Sequence, residues 1–437
     1  MAKGKNDASW EAIFEKYNII EKTNKDGFFI ITADQIKEFR EPRLMTKFDS
    51  KIDLPSIFYD NHLAILPIKR GEYIIGKFQN YQDVEINNNI DVETMYLPDY
   101  ITTIDSKNIT SEATSLSSAF VSGMIEDLVN EEVVPTIQGR MGTGKFNYHI
   151  NTYNGSEFLI EVENSQMEID GSYEGLSKFV IVEAKNHYMS DFIVRQLYYP
   201  YRAWKDITNK QIIPVMLIKH NNIFNFYVYE FEDKDNYNSI KLVKVKRYIL
   251  GEIYQQIEIS DIIDVMNNIT FVNEESTIPF PQADTFYRVL DFINILNDSE
   301  MKISEIAELY EFDERQGSYY SAAARYLGFV ENIHGGYKLT ESGKKLMKMD
   351  HKSKNLTIVK AIISHKPFYL ALEQYINNGD TDNKIIAEII LKESPNVNSS
   401  ETAKRRAQSV SAWIRWIINL TSMYDQNPFD RTDDLID

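Results

Sequence analysis

The stretch KFVIVEAKN, from Lys178 to Asn186, constrains this chain more than any other. Phe179 to Val182 are apolar at every position, as in a central strand covered on both faces, which implies a layered α/β fold. Glu183 and Lys185 end the run at a spacing of two, so their side chains share one face of the strand. Charges at the edge of a buried strand cost free energy unless they have a purpose. The same acid-x-Lys spacing recurs at Asp49, Asp105, Glu232, Glu300 and Asp382, so the spacing alone has little weight, and most of these copies read as solvated surface. Glu183 differs because four apolar residues precede it and because Asp170 lies on a turn upstream.

The surrounding pattern extends the α/β reading. From Pro135 to Phe231, strands are predicted at KFNYHINTY, EFLIEVE, KFVIVEAKN, IIPVMLIKH and NIFNFYVYEF, with one helix, SDFIVRQLYYPYRAWKDI, between the third and fourth. Upstream, SWEAIFEKYNII reads as a helix and GFFIIT, LAILPI and GEYIIGKF as strands, an α+β region. The polar segment DSKNITSEATSLSS is expected to lead into a helix AFVSGMIEDLVNEEVV. Asn267 to Asp284 is rich in Asn, Pro and acids and marks the expected boundary. Beyond it, helices DTFYRVLDFINIL, ISEIAELYEF and ERQGSYYSAAARYLGFV, then a Gly-Gly hairpin, suggest a winged helix-turn-helix. The remainder from His351 is helical, so the expected regions are 1–110, 111–275, 276–350 and 351–437.

Composition excludes several classes of function. The chain of 437 residues carries a formal charge of −18, which argues against general polyanion binding and requires any nucleic-acid site to be local. It has no cysteine, and its seven histidines are scattered, so thiol chemistry and soft-metal sites find no support while oxygen-ligated Mg²⁺ stays open. No apolar run approaches the roughly 20 residues needed to span a bilayer, and a cytoplasmic protein without membrane partners is expected. QGRMGTGKFNYHI resembles a phosphate loop, with Gly139, Gly144 and Lys145 in register, but Phe146 stands where Ser or Thr must hold Mg²⁺. The residues after Lys145 alternate as a strand does, so ATP is not an expected ligand.

A hairpin joining Asp170 to the KFVIVEAKN strand would gather two carboxylates and an amine at one sheet edge. Such a set suits Mg²⁺-assisted phosphodiester hydrolysis: acids hold a hard cation through oxygen, and Lys185 orients or helps deprotonate a water. The Ala184 carbonyl is a further backbone ligand in this reading.

Asp170 with Glu183-Ala184-Lys185 resembles the PD-(D/E)XK nuclease superfamily, and VEAKN followed by RQLYYPYR is similar to its type II restriction endonucleases. The resemblance implies a central mixed-sheet nuclease core that cuts double-stranded DNA. Asp170 and Glu183 would be metal ligands and Lys185 the water-activating residue. Ile169 replaces the family's proline. An acid from the first core helix often joins the site; Glu126 is the candidate and Asp127 the alternative. Gln196 would hold the lysine or a phosphate oxygen, and Arg195 would pair with phosphate, while Tyr198, Tyr199 and Tyr201 are expected to pack.

DNA would also be touched by Gln138, Arg140 and Lys145 near the cut, and by Arg43 and Lys47 on an N-terminal loop. On the third helix of the winged unit Arg315, Gln316, Ser318, Tyr319, Tyr320 and Arg325 are suited to base edges or phosphates, with His334, Tyr337 and Lys338 on the wing. Lys404, Arg405, Arg406 and Arg415 form a basic stretch that suits phosphate, on a helix whose Trp413, Trp416 and Ile417 face inward. A homodimer is expected if the target is palindromic, with a cognate DNA methyltransferase acting on the same site without necessarily being bound. A winged-helix regulator with a non-catalytic core and a structure-specific repair nuclease are the alternatives.

Overall fold

The computed structural model describes residues 5–421 apart from 86, 275–277, 298–299 and 310–313, and without the side chains of 5, 307–309 and 314–316. The fold is mixed α/β with a C-terminal helical region. Two compact units divide it: Met1–Glu85, Ser111–Lys219 and Phe224–Lys246 form the first, and Ile86–Thr110, His220–Ile223 and Arg247–Asp437 the second. This division differs from four regions in chain order, because the N-terminal residues pack with the central ones.

In the first unit one sheet has the order Phe28–Thr32, Glu72–Gly76, Ala64–Lys69, Glu157–Glu163, Lys145–Asn151. A second sheet runs from Ile240–Leu250 through Ile223–Phe231, Gln211–His220, Lys178–Lys185 and Gly171–Glu174 to Val134–Pro135, with His220, Ile223 and Arg247–Leu250 counted in the second unit. Lys178–Lys185 pairs antiparallel with Gly171–Glu174 and parallel with Gln211–Ile218, so this sheet is mixed. The parallel pair needs a crossover, which the helix Arg195–Lys205 supplies. Phe179 and Ile181 pack into the same core cluster as Leu197, Tyr198, Tyr199 and Tyr201 of that helix, so the tyrosines are packing residues.

Two helices differ from expectation. The run SDFIV is not helical: Asp191–Ile193 is a short strand paired with Tyr81–Asp83, and the helix begins only at Arg195. Aromatic and β-branched residues favour the extended state, and a partner strand was at hand. The helix around residue 120 starts earlier, at Glu112, capped by Ser111, whose side chain accepts from the Thr114 N–H. It stops at Val121 and restarts at Met124, because Gly123 takes a left-handed φ of 81°.

In the second unit Arg247–Leu250 pairs in parallel with Val92–Met95. Helices Phe286–Ile295, Ile303–Leu309 and Glu314–Tyr326 precede a hairpin of Val330–Ile333 and Gly336–Leu339, and Met301–Lys302 adds a third strand beside the latter. The C-terminal helix Ser400–Asn419 buries Trp413 and Trp416 against Phe286, with ring centroids 4.7 and 4.4 Å away.

Candidate active site

Strand register brings the acids together. Gln166–Ile169 pairs with Gly139–Gly142, whereas Gly171–Glu174 pairs with Phe179–Val182 in the other sheet, so Asp170 is the bend where the chain changes sheets. Gly171 faces Val182, which sets Asp170 beside Glu183, and the Ala184 N–H donates to Asp170 Oδ2 at 2.9 Å. The N–H and C=O of one strand residue project to the same side, so the Ala184 carbonyl lies on the side of Asp170.

Glu183 and Lys185 face Gln196 in the first turn of the crossover helix. Lys185 Nζ is 3.1 Å from Glu183 Oε1, and Gln196 Nε2 donates to that oxygen at 2.5 Å. The same two donors share a second carboxylate: Asp49 Oδ2 accepts from Lys185 Nζ and from Gln196 Nε2, each at 3.1 Å. Glu183 and Lys185 are each 6% exposed and Asp49 only 2%. Asp49 is therefore an exception among the acid-x-Lys copies, most of which read as solvated surface. Its spacing to Lys51 is incidental, and what buries it is long-range: the Ile193 N–H donates to the Asp49 carbonyl at 2.9 Å. Ser50 Oγ and the Lys51 N–H donate to Asp191 Oδ1 at 3.0 and 2.7 Å, and Tyr81 Oη donates to the Phe48 carbonyl at 2.9 Å.

The electrostatics show an excess of acid. Burial and the Asp170 charge push the Glu183 carboxyl well above the usual carboxylate range, against the pull of Lys185. Burial acts to lower the Lys185 ammonium, but Asp49, Glu183, Glu112 and Asp170 together hold it well above the ordinary lysine value. Burial likewise opposes the Asp49 carboxylate, yet Lys185, Lys47 and Arg195 hold it low. Asp49 and Lys185 thus form the ion pair proper, and Glu183 is the carboxyl whose ionisation burial and the neighbouring acids oppose.

Glu112 is the helix acid that belongs to this field. It sits in the first turn of the helix Glu112–Val121, half-buried, its carboxyl raised by burial, lowered by Lys185 and raised by Asp170. Glu126 does not figure among the groups that act most strongly on Glu183 or Lys185, and Asp127 pairs with Lys246 at 2.5 Å. The Ser111 cap is the sequence signal that would have moved the helix start to Glu112. For Asp49 the only local sign is Ser50 three residues before Asp53, a capping pattern that says nothing about burial.

Among the described residues no group of three or more His, Cys, Asp or Glu is arranged as a ready metal cage. The donors nevertheless fit Mg²⁺ in kind, being hard oxygens. Asp49 Oδ1 and Gln196 Oε1 are buried without a hydrogen-bond partner among the described residues, and a cation would offset the negative field that opposes ionisation of Glu183.

The remaining candidates lie elsewhere in their units. Gln138 precedes the strand opposite Gln166–Ile169 and is exposed. Arg140 Nε is 3.1 Å from Glu168 Oε2, and Lys145 Nζ is 3.9 Å from Glu163 Oε1, both on exposed strand faces. Lys145–Asn151 is a strand, so Gly139 to Lys145 does not open a helix. Arg43 is exposed on the short helix Pro42–Met45, and Lys47 Nζ lies 4.0 Å from Asp49 Oδ2. The Arg195 guanidinium stacks 5.9 Å from the Tyr199 ring centre. In the second unit Ser318, Lys404, Arg405 and Arg415 are exposed, Tyr319, Arg325 and Arg406 half-buried and Tyr320 buried. Tyr337 packs on Phe292 and Lys338 pairs with Glu331, while His334 is in the hairpin turn. The side chains of Arg315 and Gln316 lie outside the described residues.

No described helix is long and apolar enough to cross a membrane. Three family models match the chain in succession: Domain of unknown function (DUF6996) over residues 7–75, Domain of unknown function (DUF6997) over 76–249, and Domain of unknown function (DUF7226) over 288–422. Asp170, Glu183, Lys185 and Gln196 fall within the second of these matches and Asp49 within the first. No curated protein and no solved structure matches the chain.

Proposed function

We propose that this chain is a Mg²⁺-dependent endonuclease that hydrolyses phosphodiester bonds of double-stranded DNA at specific sites, as type II restriction enzymes of the PD-(D/E)XK superfamily do. The observation that carries the reading is the convergence of Asp170, Glu183 and Lys185 at the C-terminal end of the strand Lys178–Lys185, with Asp170 tied to it by the Ala184 N–H. Asp170, Glu183 and the Ala184 carbonyl would hold the cation, with Glu112 in place of Glu126 as the helix acid. When bound, the cation supplies charge for the phosphorane-like transition state and a more acidic water.

The chain's own groups do the rest. Lys185, held as an ammonium by its acidic neighbours, aims a water or a phosphate oxygen and offsets developing charge. Gln196 fixes the Glu183 carboxylate from the side of the helix. The water oxygen joins phosphorus, one P–O ester bond breaks, and the proton that the water gives up ends on the departing alkoxide, directly or through solvent. In the second unit the order of helix, short strand, two helices and hairpin supports a winged helix-turn-helix reading, and we assign base reading to it. A palindromic target would call for a homodimer and for a methyltransferase that protects the same site.

The test is digestion of phage DNA by the purified protein with Mg²⁺ or Mn²⁺, beside Lys185→Ala and Asp170→Ala variants. Discrete bands lost in both variants are expected. Binding without cleavage by the parent protein overturns the hydrolase and favours a DNA-binding regulator.

A further inference from the structure

We infer that Asp49 is a positioning residue for Lys185, supplied to the active site by the N-terminal stretch; the inference rests on the hydrolase reading above. In the structure Lys185 Nζ has two counter-ions at the same 3.1 Å, Asp49 Oδ2 and Glu183 Oε1. Gln196 Nε2 likewise serves both carboxylates. A divalent cation held by Asp170 and Glu183 would draw Glu183 away from these donors. Asp49 then remains as the group that holds the ammonium in place.

The way Asp49 is held supports this role. Its backbone carbonyl is fixed by the Ile193 N–H, and the next two residues are fixed by Asp191. The backbone that carries the carboxylate is therefore fixed, and Gln196 Nε2 holds its Oδ2, so the carboxylate marks where the ammonium stands. A buried carboxylate with one oxygen unpartnered is expensive, and a fold without a use for it would be better served by an amide or an apolar residue. The N-terminal stretch is on this view part of the catalytic apparatus rather than an accessory reader of DNA.

The experiment uses the full chain and compares wild type, Asp49→Asn and Asp49→Glu. It measures kcat and KM for plasmid cleavage in Mg²⁺, DNA binding in Ca²⁺, Mn²⁺ binding by electron paramagnetic resonance, and thermal melting. Asp49→Asn is expected to lower kcat roughly 10- to 100-fold, as for other groups that orient a site residue. KM and Ca²⁺-supported DNA binding should stay within about twofold, and Asp49→Glu should recover part of the rate. Mn²⁺ half-saturation should rise several-fold, because Glu183 alone then answers Lys185. Wild-type kcat in Asp49→Asn overturns the inference and leaves the hydrolase reading intact. So does a fall in kcat matched by equal loss of DNA binding and melting temperature. If Asp49→Asn does not melt cooperatively, Ser50→Ala replaces it: a reduced kcat at unchanged KM is expected, and an unchanged kcat overturns the inference. A wild type that binds DNA but cuts with neither Mg²⁺ nor Mn²⁺ overturns both readings.

Discussion

The backbone N–H of Ala184 donates to Asp170 Oδ2 at 2.9 Å, so the acid proposed as a metal ligand also closes the end of the strand ladder. Removing the carboxylate would leave that buried donor unpaired, at a cost of about 1–3 kcal/mol. Asp170→Ala is therefore expected to melt below wild type, while Asp170→Asn, which keeps an acceptor oxygen, should melt close to it. Both should lose cleavage by at least about 10³-fold, since residues acting as one catalytic unit fail together. Differential scanning calorimetry beside a cleavage assay separates the two effects.

Glu112 and Glu126 make opposite predictions. Glu112 shares its field with Lys185 and Asp170. Glu112→Gln should slow cleavage about tenfold or more, within the range for groups that tune a metal site. Glu126→Gln should leave the single-turnover rate unchanged, and a rate loss there would return the helix-acid role to Glu126.

The second unit should be sensitive to pH in two windows. Burial lowers His351 from 6.5 to about 3, so between those values the unfolded chain binds a proton that the native state refuses, and stability must fall as pH drops from 6.5. Burial lowers Lys354 from 10.5 to about 8; below 8 both states are protonated and the full cost of burying the charge is present. Stability should then rise as pH climbs from 8 to 10.5. Lys354→Met is expected to stabilise the protein at pH 7 by about 1–3 kcal/mol, the scale for replacing a buried charge by an apolar side chain. The bond from Lys354 Nζ to Asn294 Oδ1 at 3.0 Å is lost in that variant and puts the result below the upper end. Denaturant melts of both proteins across pH 4 to 10 check the sign and the slope.

Exposed basic residues on the C-terminal helix test phosphate contact. Lys404→Ala and Arg405→Ala should each weaken DNA binding alike for all sequences and reduce the salt slope by about 0.9. Arg406 is half-buried with its Nε unpartnered among the described residues, so Arg406→Ala should act on melting temperature as well. Fluorescence anisotropy against salt concentration measures the slope, and unchanged slopes for Lys404→Ala and Arg405→Ala would remove this helix from the interface.

Local pattern determined much of what is seen. A short unbroken apolar run reads as a strand covered on both faces, and alternation then placed Glu183 and Lys185 on its same side. The hairpin register then needed only a short turn, so Asp170 was legible as well. Helix limits were less so, because Gly123 and the pairing partner of Asp191–Ile193 decide them through backbone conformation and a distant strand. Asp49 was not legible at all. Its bond to Lys185 spans 136 positions, and nothing near it in sequence distinguishes it from the acid-x-Lys copies on the surface. A side chain's periodicity is set by its neighbours along the chain, whereas the burial and counter-ions that give a carboxylate its role come from segments that only folding brings near.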